Sequence, residues 1–175
     1  MKRAVLLVGL ALVARELLAV GLVSLKIEGP AFSDGGAIPS RYTCDGKDGS
    51  PELAFSGIPA GTKSLALICD DPDAPSGVFV HWVLFDLPPL AAKLPESIPG
   101  IAKPPTGGVQ GKNDFGKIGY GGPCPPSGTH RYEFKLYALD TELKLPAGSS
   151  KANVVAAMQG HVLAEAKLTG KYSRK

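Results

Sequence analysis

Two of the three histidines, two aspartates and a tyrosine stand at the mouths of apolar runs, where ionisable groups are least expected. Ser64-Leu65-Ala66-Leu67-Ile68-Cys69 runs into Asp70-Asp71-Pro72-Asp73-Ala74-Pro75, and the next apolar run, Val78 to Phe85, contains His81. His130-Arg131-Tyr132 opens a later, alternating run. Burying a carboxylate or imidazole in such places is costly unless something pairs with it. Asp71 and Asp73 share a turn stiffened by the fixed φ of Pro72 and Pro75. Carboxylates held this way accept hydrogen bonds from an amine or hydroxyl, or supply oxygen ligands to a metal. Two imidazoles, a phenol and a carboxylate converging on one strand mouth suit a small anion with an attached polar group. The glycine-rich stretch Gly116 to Pro123 can add close backbone approach, although it is not a phosphate-loop motif and no helix follows it.

These residues need strands to position them. Ser64–Asp70 and Val78–Leu87 read as central strands from their length and their β-branched and aromatic content. Arg131–Asp140 is the clearest strand, with Tyr132, Phe134, Leu136 and Ala138 sharing one face. His130 has the same parity as Tyr132, so both are expected to point inward. The same count places Asp71 with Leu65, Leu67 and Cys69, and His81 with Val83, Phe85 and Leu87. Shorter strands are expected at Leu25–Ile27 and Glu52–Phe55. Pro88 to Gly111 reads as loop, its prolines excluding a helix of useful length. One helix is expected over Ala152–Gln159, capped by Ser149 or Ser150 and closed by Gly160. Val162–Thr169 reads either as a last strand or as a continuation of that helix. The pattern predicts a mostly antiparallel β-sandwich with one short C-terminal helix.

At 175 residues, with a hydrophobic fraction of 44% and a charged fraction of 20%, the chain fits one globular domain with a sizeable core. Its net charge of +3 and scattered basic residues argue against nucleic acid as a partner. Cys44, Cys69 and Cys124 lack the paired spacing of a zinc or redox motif. Cys69 reads as core; Cys44 and Cys124 lie in turn-rich segments, where one bridge plus an odd thiol is one option and free thiols the other. His161 reads as structural, and Lys112 to Phe115 as pocket wall in preference to plain loop. Residues 1–24 read as a signal peptide, an N-terminal anchor or a mis-assigned start, ahead of a domain over 25–175. Lys2-Arg3 precede an apolar stretch of signal-peptide length, and Arg15-Glu16 would sit near the centre of any membrane span. Export or tethering is therefore favoured over a cytoplasmic location.

Taken in order, the Asp71–Pro75 turn, the His81-Trp82 strand, Asn113-Asp114-Phe115-Gly116, Gly119 to Pro123 and His130-Arg131-Tyr132 closely resemble the phosphatidylethanolamine-binding protein family. The resemblance is to its bacterial and archaeal branch, often called Raf-kinase-inhibitor-like proteins, and runs from about Leu25 to the carboxyl end. It implies a Greek-key β-sandwich with a small anion pocket that accepts phosphate or phosphorylated head groups. Carried over position by position, that pocket is lined by Asp71, Asp73, Pro75, His81, Gly122, His130 and Tyr132. The stretch Gly49-Ser50-Pro51-Glu52 departs from the family pattern, where relatives usually carry an isoleucine and a second proline.

Three functions follow as expectations. The first is non-catalytic binding of a small anion or phosphorylated head group, with no cofactor and no metal. The second is inhibition of a protein kinase or protease through surface loops. The third is a metal-assisted phosphoesterase using Asp71 and Asp73 with a histidine acid. Resemblance also implies a homodimer.

Overall fold

A computed structural model describes residues 24–174 as two antiparallel sheets and one short helix. The expectation of a signal peptide or anchor concerns residues that, Ser24 apart, lie outside the described ones. Among the described residues no helix is long and apolar enough to cross a membrane.

The larger sheet is built on β3 (Ser64–Asp71), β4 (Phe79–Leu87) and β7 (Thr129–Leu139). With β6 (Val109–Gln110) and β8 (Val162–Ser173) at its edges, its order is β6-β4-β3-β7-β8. The smaller sheet holds β1 (Lys26–Glu28), β2 (Leu53–Ser56) and β5 (Lys93–Leu94), in the order β1-β2-β5. From β4 the chain crosses to the small sheet for β5 and returns beside β4 as β6. It then passes to the far side of β3 as β7, the Greek-key return. The Pro88–Gly111 region, expected as loop throughout, therefore contributes one short edge strand to each sheet. Prolines exclude a helix there, but they leave room for two-residue pairings at positions whose N–H is free.

All eight residues of β3 are buried, because the strand is covered on both faces. Leu65, Leu67 and Cys69 point toward the small sheet, among Leu53, Phe55, Leu94, Trp82 and Phe134. Ala66 and Ile68 point the other way, among Val83, Phe85, Val154 and Met158. The last two belong to α1 (Lys151–Met158), which forms a third layer on the large sheet. Its start is fixed by Ser150, which accepts from the Asn153 N–H in a capping box, and Gly160 follows it with a positive φ of 79°. The segment after the helix is a strand: β8 pairs with β7 along its length, with Leu163, Glu165 and Lys167 exposed and Leu168 buried. That period of two decides against a helical continuation.

Within the Gly49–Glu52 stretch Ser50 is fully enclosed, and its hydroxyl accepts the Ile98 N–H at 2.9 Å. Cys44 and Cys124 form a disulfide with Cα atoms 5.5 Å apart, while Cys69 is a free thiol in the core. The bridge closes a loop of 80 residues between a turn before β2 and the glycine-rich stretch before β7. Replacing both cysteines, as Cys44→Ser with Cys124→Ser, should lower unfolding free energy by about 2–5 kcal/mol in urea titration against the oxidised wild type.

Candidate functional site

β3 runs antiparallel to both of its neighbours, so its carboxyl end lies beside the first residues of β4 and β7. Asp71, His81 and His130 therefore meet at one end of the large sheet. Asp71 and His130 arrive by simple alternation. Asp71 continues the Leu65, Leu67, Cys69 face, and His130 and Tyr132 are both buried on the inward face of β7.

His81 arrives differently. Parity counting grouped it with Val83 and Phe85, which lie on the helix-covered side. In the structure Cys69 pairs with Trp82 and Asp70 with Val80, so His81 is the extra residue of a β-bulge. The bulge returns Val80 to the Val83 side and turns His81 toward Tyr132, whose ring it meets edge-on at 5.1 Å. A second register shift, between Leu65 and Leu67, moves Leu87 to the small-sheet side as well.

Each imidazole is held by its Nδ1. His81 Nδ1 donates to the Gly121 carbonyl at 2.6 Å, and His130 Nδ1 donates to Asp71 Oδ2 at 2.7 Å. The Asp71 Oδ1 accepts the Asp73 N–H at 2.8 Å, the closing bond of the proline-stiffened turn. Burial lowers the His81 pKa from its ordinary 6.5, against the opposing pull of the Gly121 carbonyl and the Asp71 charge. Burial, with the Asp71 charge behind it, raises the Tyr132 phenol far above its ordinary range, so its hydroxyl keeps its proton. That hydroxyl is enclosed and has no well-formed hydrogen bond among the described residues.

A cavity of about 300 Å³ opens over this floor. Asp71, Pro75, His81 and His130 line it, together with Ala74, Ser76, Phe79, Phe115, Cys124 and Pro126. Phe79, His81 and Phe115 contact one another with ring centroids 4.8–5.3 Å apart, forming an aromatic wall. Phe115 is set in place by its predecessor: Asp114 accepts the Val80 N–H at 2.7 Å and returns its own N–H to the Val80 carbonyl. Among the described residues no lysine or arginine lines the cavity. A larger hollow of about 680 Å³ lies between β1 and β8, but it has neither histidine nor tyrosine in its wall.

Three of the seven expected site residues stand behind the cavity rather than on it. Asp73 is gripped by Arg131, which donates from its backbone N–H, Nε and a terminal nitrogen at 2.6–2.9 Å. Those bonds hold the Asp73 carboxyl down at about 2. Gly122 donates its N–H to Asp48 Oδ1, and a Cβ there would come within 2.5–2.8 Å of Asp48, the Tyr42 carbonyl and Thr43. Its smallness serves close approach to the Tyr42–Asp48 turn. Tyr132 backs His81. His161 pairs with Asp140 at the surface, away from the cavity, as its structural reading implied.

Phe79, Cys124 and Pro126 were not singled out from the sequence as cavity residues, and Gly121 was read only as part of a glycine-rich stretch offering close backbone approach. Gly121 acts through a carbonyl, which no side-chain pattern reveals. Phe79 stands two residues before His81 and was legible only as part of an apolar run. Cys124 and Pro126 reach the cavity by way of the disulfide-held loop.

The family model for phosphatidylethanolamine-binding protein matches residues 28–173. A UPF0098 protein of Methanothermobacter thermautotrophicus is 59% identical over 86% of this chain and 99% of its own length. Another, of Aquifex aeolicus, is 46% identical over 96% of this chain and 99% of its own. Among solved structures, a phosphatidylethanolamine-binding protein homolog of Chlamydia trachomatis superposes with a TM-score of 0.81 at 40% identity, covering 87% of this chain and 99% of that one. Escherichia coli YbcL, described as a member of the mammalian PEBP family, gives the same TM-score at 35% identity over 87% of this chain and 99% of its own.

Two pH responses follow from the site. Since folding lowers the His81 pKa, the unfolded chain takes the proton first, and stability should fall as pH drops through 6.5. Thermal melts at pH 8 and pH 5.5 should show a smaller decline for His81→Gln than for the wild type; equal declines contradict it. Asp73 acts in the opposite range, its contribution present above 3.8 and lost as pH falls through about 2. Asp73→Asn should therefore flatten the acid limb of an unfolding curve between about pH 4 and 2 while leaving the neutral-pH slope unchanged.

Proposed function

The chain belongs to the phosphatidylethanolamine-binding protein family, and we propose that the cavity at the end of β3, β4 and β7 binds a small anion, such as a phosphorylated head group, without catalysing its conversion. One observation carries this reading: both cavity imidazoles are anchored through Nδ1, which leaves each Nε2 as the ring nitrogen available to a ligand. Two convergent imidazoles on a rigid floor can grip two oxygens of one phosphoryl or carboxyl group. The aromatic wall and the prolines then take whatever the group is attached to.

The same geometry weighs against chemistry. Both oxygens of Asp71 already accept hydrogen bonds, and both oxygens of Asp73 are held by Arg131. Neither carboxylate is poised to bind a metal or to act as a base without breaking its present partners. Among the described residues no group of three or more His, Cys, Asp or Glu is placed to hold a metal ion. Ser76 is the cavity's one hydroxyl, and it lies on an exposed turn with no hydrogen bond to either imidazole. A nucleophile needs such a partner.

Titration with inorganic phosphate, followed by NMR of the histidine rings, should shift the signals of His81 and His130 and leave His161 in place. His130→Ala should weaken phosphate binding by at least about tenfold, since a charge-assisted hydrogen bond contributes about 1.5–3 kcal/mol. Silence at both cavity histidines up to millimolar phosphate would sink the reading.

A further inference from the structure

The partners of the two imidazoles determine where their protons are. A carbonyl oxygen has no hydrogen to give, so His81 Nδ1, 2.6 Å from the Gly121 carbonyl, carries one. His130 Nδ1, 2.7 Å from the Asp71 carboxylate, carries one for the same reason. In a neutral imidazole with Nδ1 protonated, Nε2 is a bare acceptor. With both rings neutral the cavity offers acceptors to a ligand made of acceptors, and among the described residues no lysine or arginine lines it to compensate. An oxyanion can be held by these nitrogens only after protons reach them.

Charge counting narrows the ligand. The ionisable side chains lining the cavity are Asp71, His81 and His130. Protonating both rings gives two positive charges against one negative, a net of +1, which a single anionic charge neutralises. A dianion would leave an excess negative charge in a partly desolvated site, where like charges a few ångströms apart repel strongly. Resting on the anion-binding reading, we propose that the pocket takes its anion together with protons and selects monoanions carrying a small apolar substituent over dianionic phosphomonoesters.

The neighbours of each ring fit that account. His81 faces Asp71 from β3 and Tyr132 from β7, with Asp70 and Asp114 acting from farther off. His130 faces Asp71 from β3 and stands opposite Tyr172 of β8, beside the Arg131–Asp73 pair. At His81 the carboxylate charges favour taking up a proton against the effect of burial, and Asp71 is the carboxylate in direct hydrogen-bond contact with His130. Phe79 and Phe115 stand over the floor and would cover an ester methyl or a short chain, which is where the apolar substituent enters the argument.

Isothermal titration calorimetry with sodium dimethyl phosphate and sodium methyl phosphate tests this at pH 6 and pH 8, each in two buffers of different ionisation enthalpy. Dimethyl phosphate stays a monoanion at both pH values, so its affinity should fall at least about tenfold from pH 6 to pH 8, with net proton uptake at pH 8 read from the buffer dependence. At pH 8 it should bind about tenfold tighter than methyl phosphate. Asp71→Asn, which keeps an acceptor for His130 while removing the negative charge, should shift that preference toward methyl phosphate. His81→Gln, which cannot take a proton, should lose much of the pH dependence. Binding with no proton uptake and equal affinity at both pH values would overturn the proposal and leave the anion-binding reading standing. Failure of both ligands to bind at pH 6 would overturn both.

Discussion

Strand β3 is covered on both faces, and it ends in two consecutive carboxylates. Asp70 and Asp71 must therefore be desolvated in opposite directions, and each needs its own partners. Asp70, fully buried on the helix side, takes the ammonium groups of Lys135 on β7 and Lys151 at the start of α1, both bonded to its Oδ2 at 2.7–3.1 Å. Asp71, on the small-sheet side, takes His130 and the Asp73 N–H. One requirement thus docks the helix, ties β3 to β7 on both faces, and creates the hydrogen-bonded floor of the cavity. An unpaired carboxylate in either place would cost several kcal/mol, so the two halves of the arrangement are fixed by the same strand.

The bulge in β4 is the second device, and it converts a core position into a cavity-facing one. Without it His81 would lie under the helix layer beside Val83 and Phe85, an imidazole with no polar partner in an apolar layer. With it, the ring meets the Gly121 carbonyl, and the extra residue is absorbed between Trp82 and Val80. The 121–124 stretch has to be close for this to work. A Cβ on Gly121 would come within about 2.5 Å of the Phe115 ring, so only glycine lets the chain pass there. The Cys44–Cys124 bridge then holds the same stretch against the Tyr42–Asp48 turn, to which Gly122 is also bonded.

What could be read in the sequence follows from which of these devices act through side-chain pattern. Alternation along β7 is strict, so the inward placement of His130 and Tyr132 was legible, and so was Asp71 at the end of its strand. The position of His81 was not, because a bulge leaves no mark in a strand that is apolar on both faces. Asp73 and Gly122 were expected among the ligand contacts. Asp73 instead braces the turn through Arg131, and Gly122 admits a backbone neighbour. The aromatic wall was half-legible: Asn113-Asp114-Phe115 was read as a wall, and Phe79 was hidden inside an apolar run.

This division between builders and contacts bears on what the site can do. Every charged group near the floor is already engaged by another protein group: Asp71 by His130, Asp73 by Arg131, Asp114 by the Val80 N–H. Catalytic carboxylates and nucleophiles work because part of their bonding capacity is left for the substrate. Here the unused capacity facing the cavity rests on two ring nitrogens, groups that can hydrogen-bond an oxyanion when protonated. Geometry that locks both Nδ1 atoms outward into the protein also locks the available nitrogens inward onto the ligand. On the proposed reading, recognition of an oxyanion by this floor goes together with protonation of its imidazoles, because each Nδ1 is already committed to a protein acceptor.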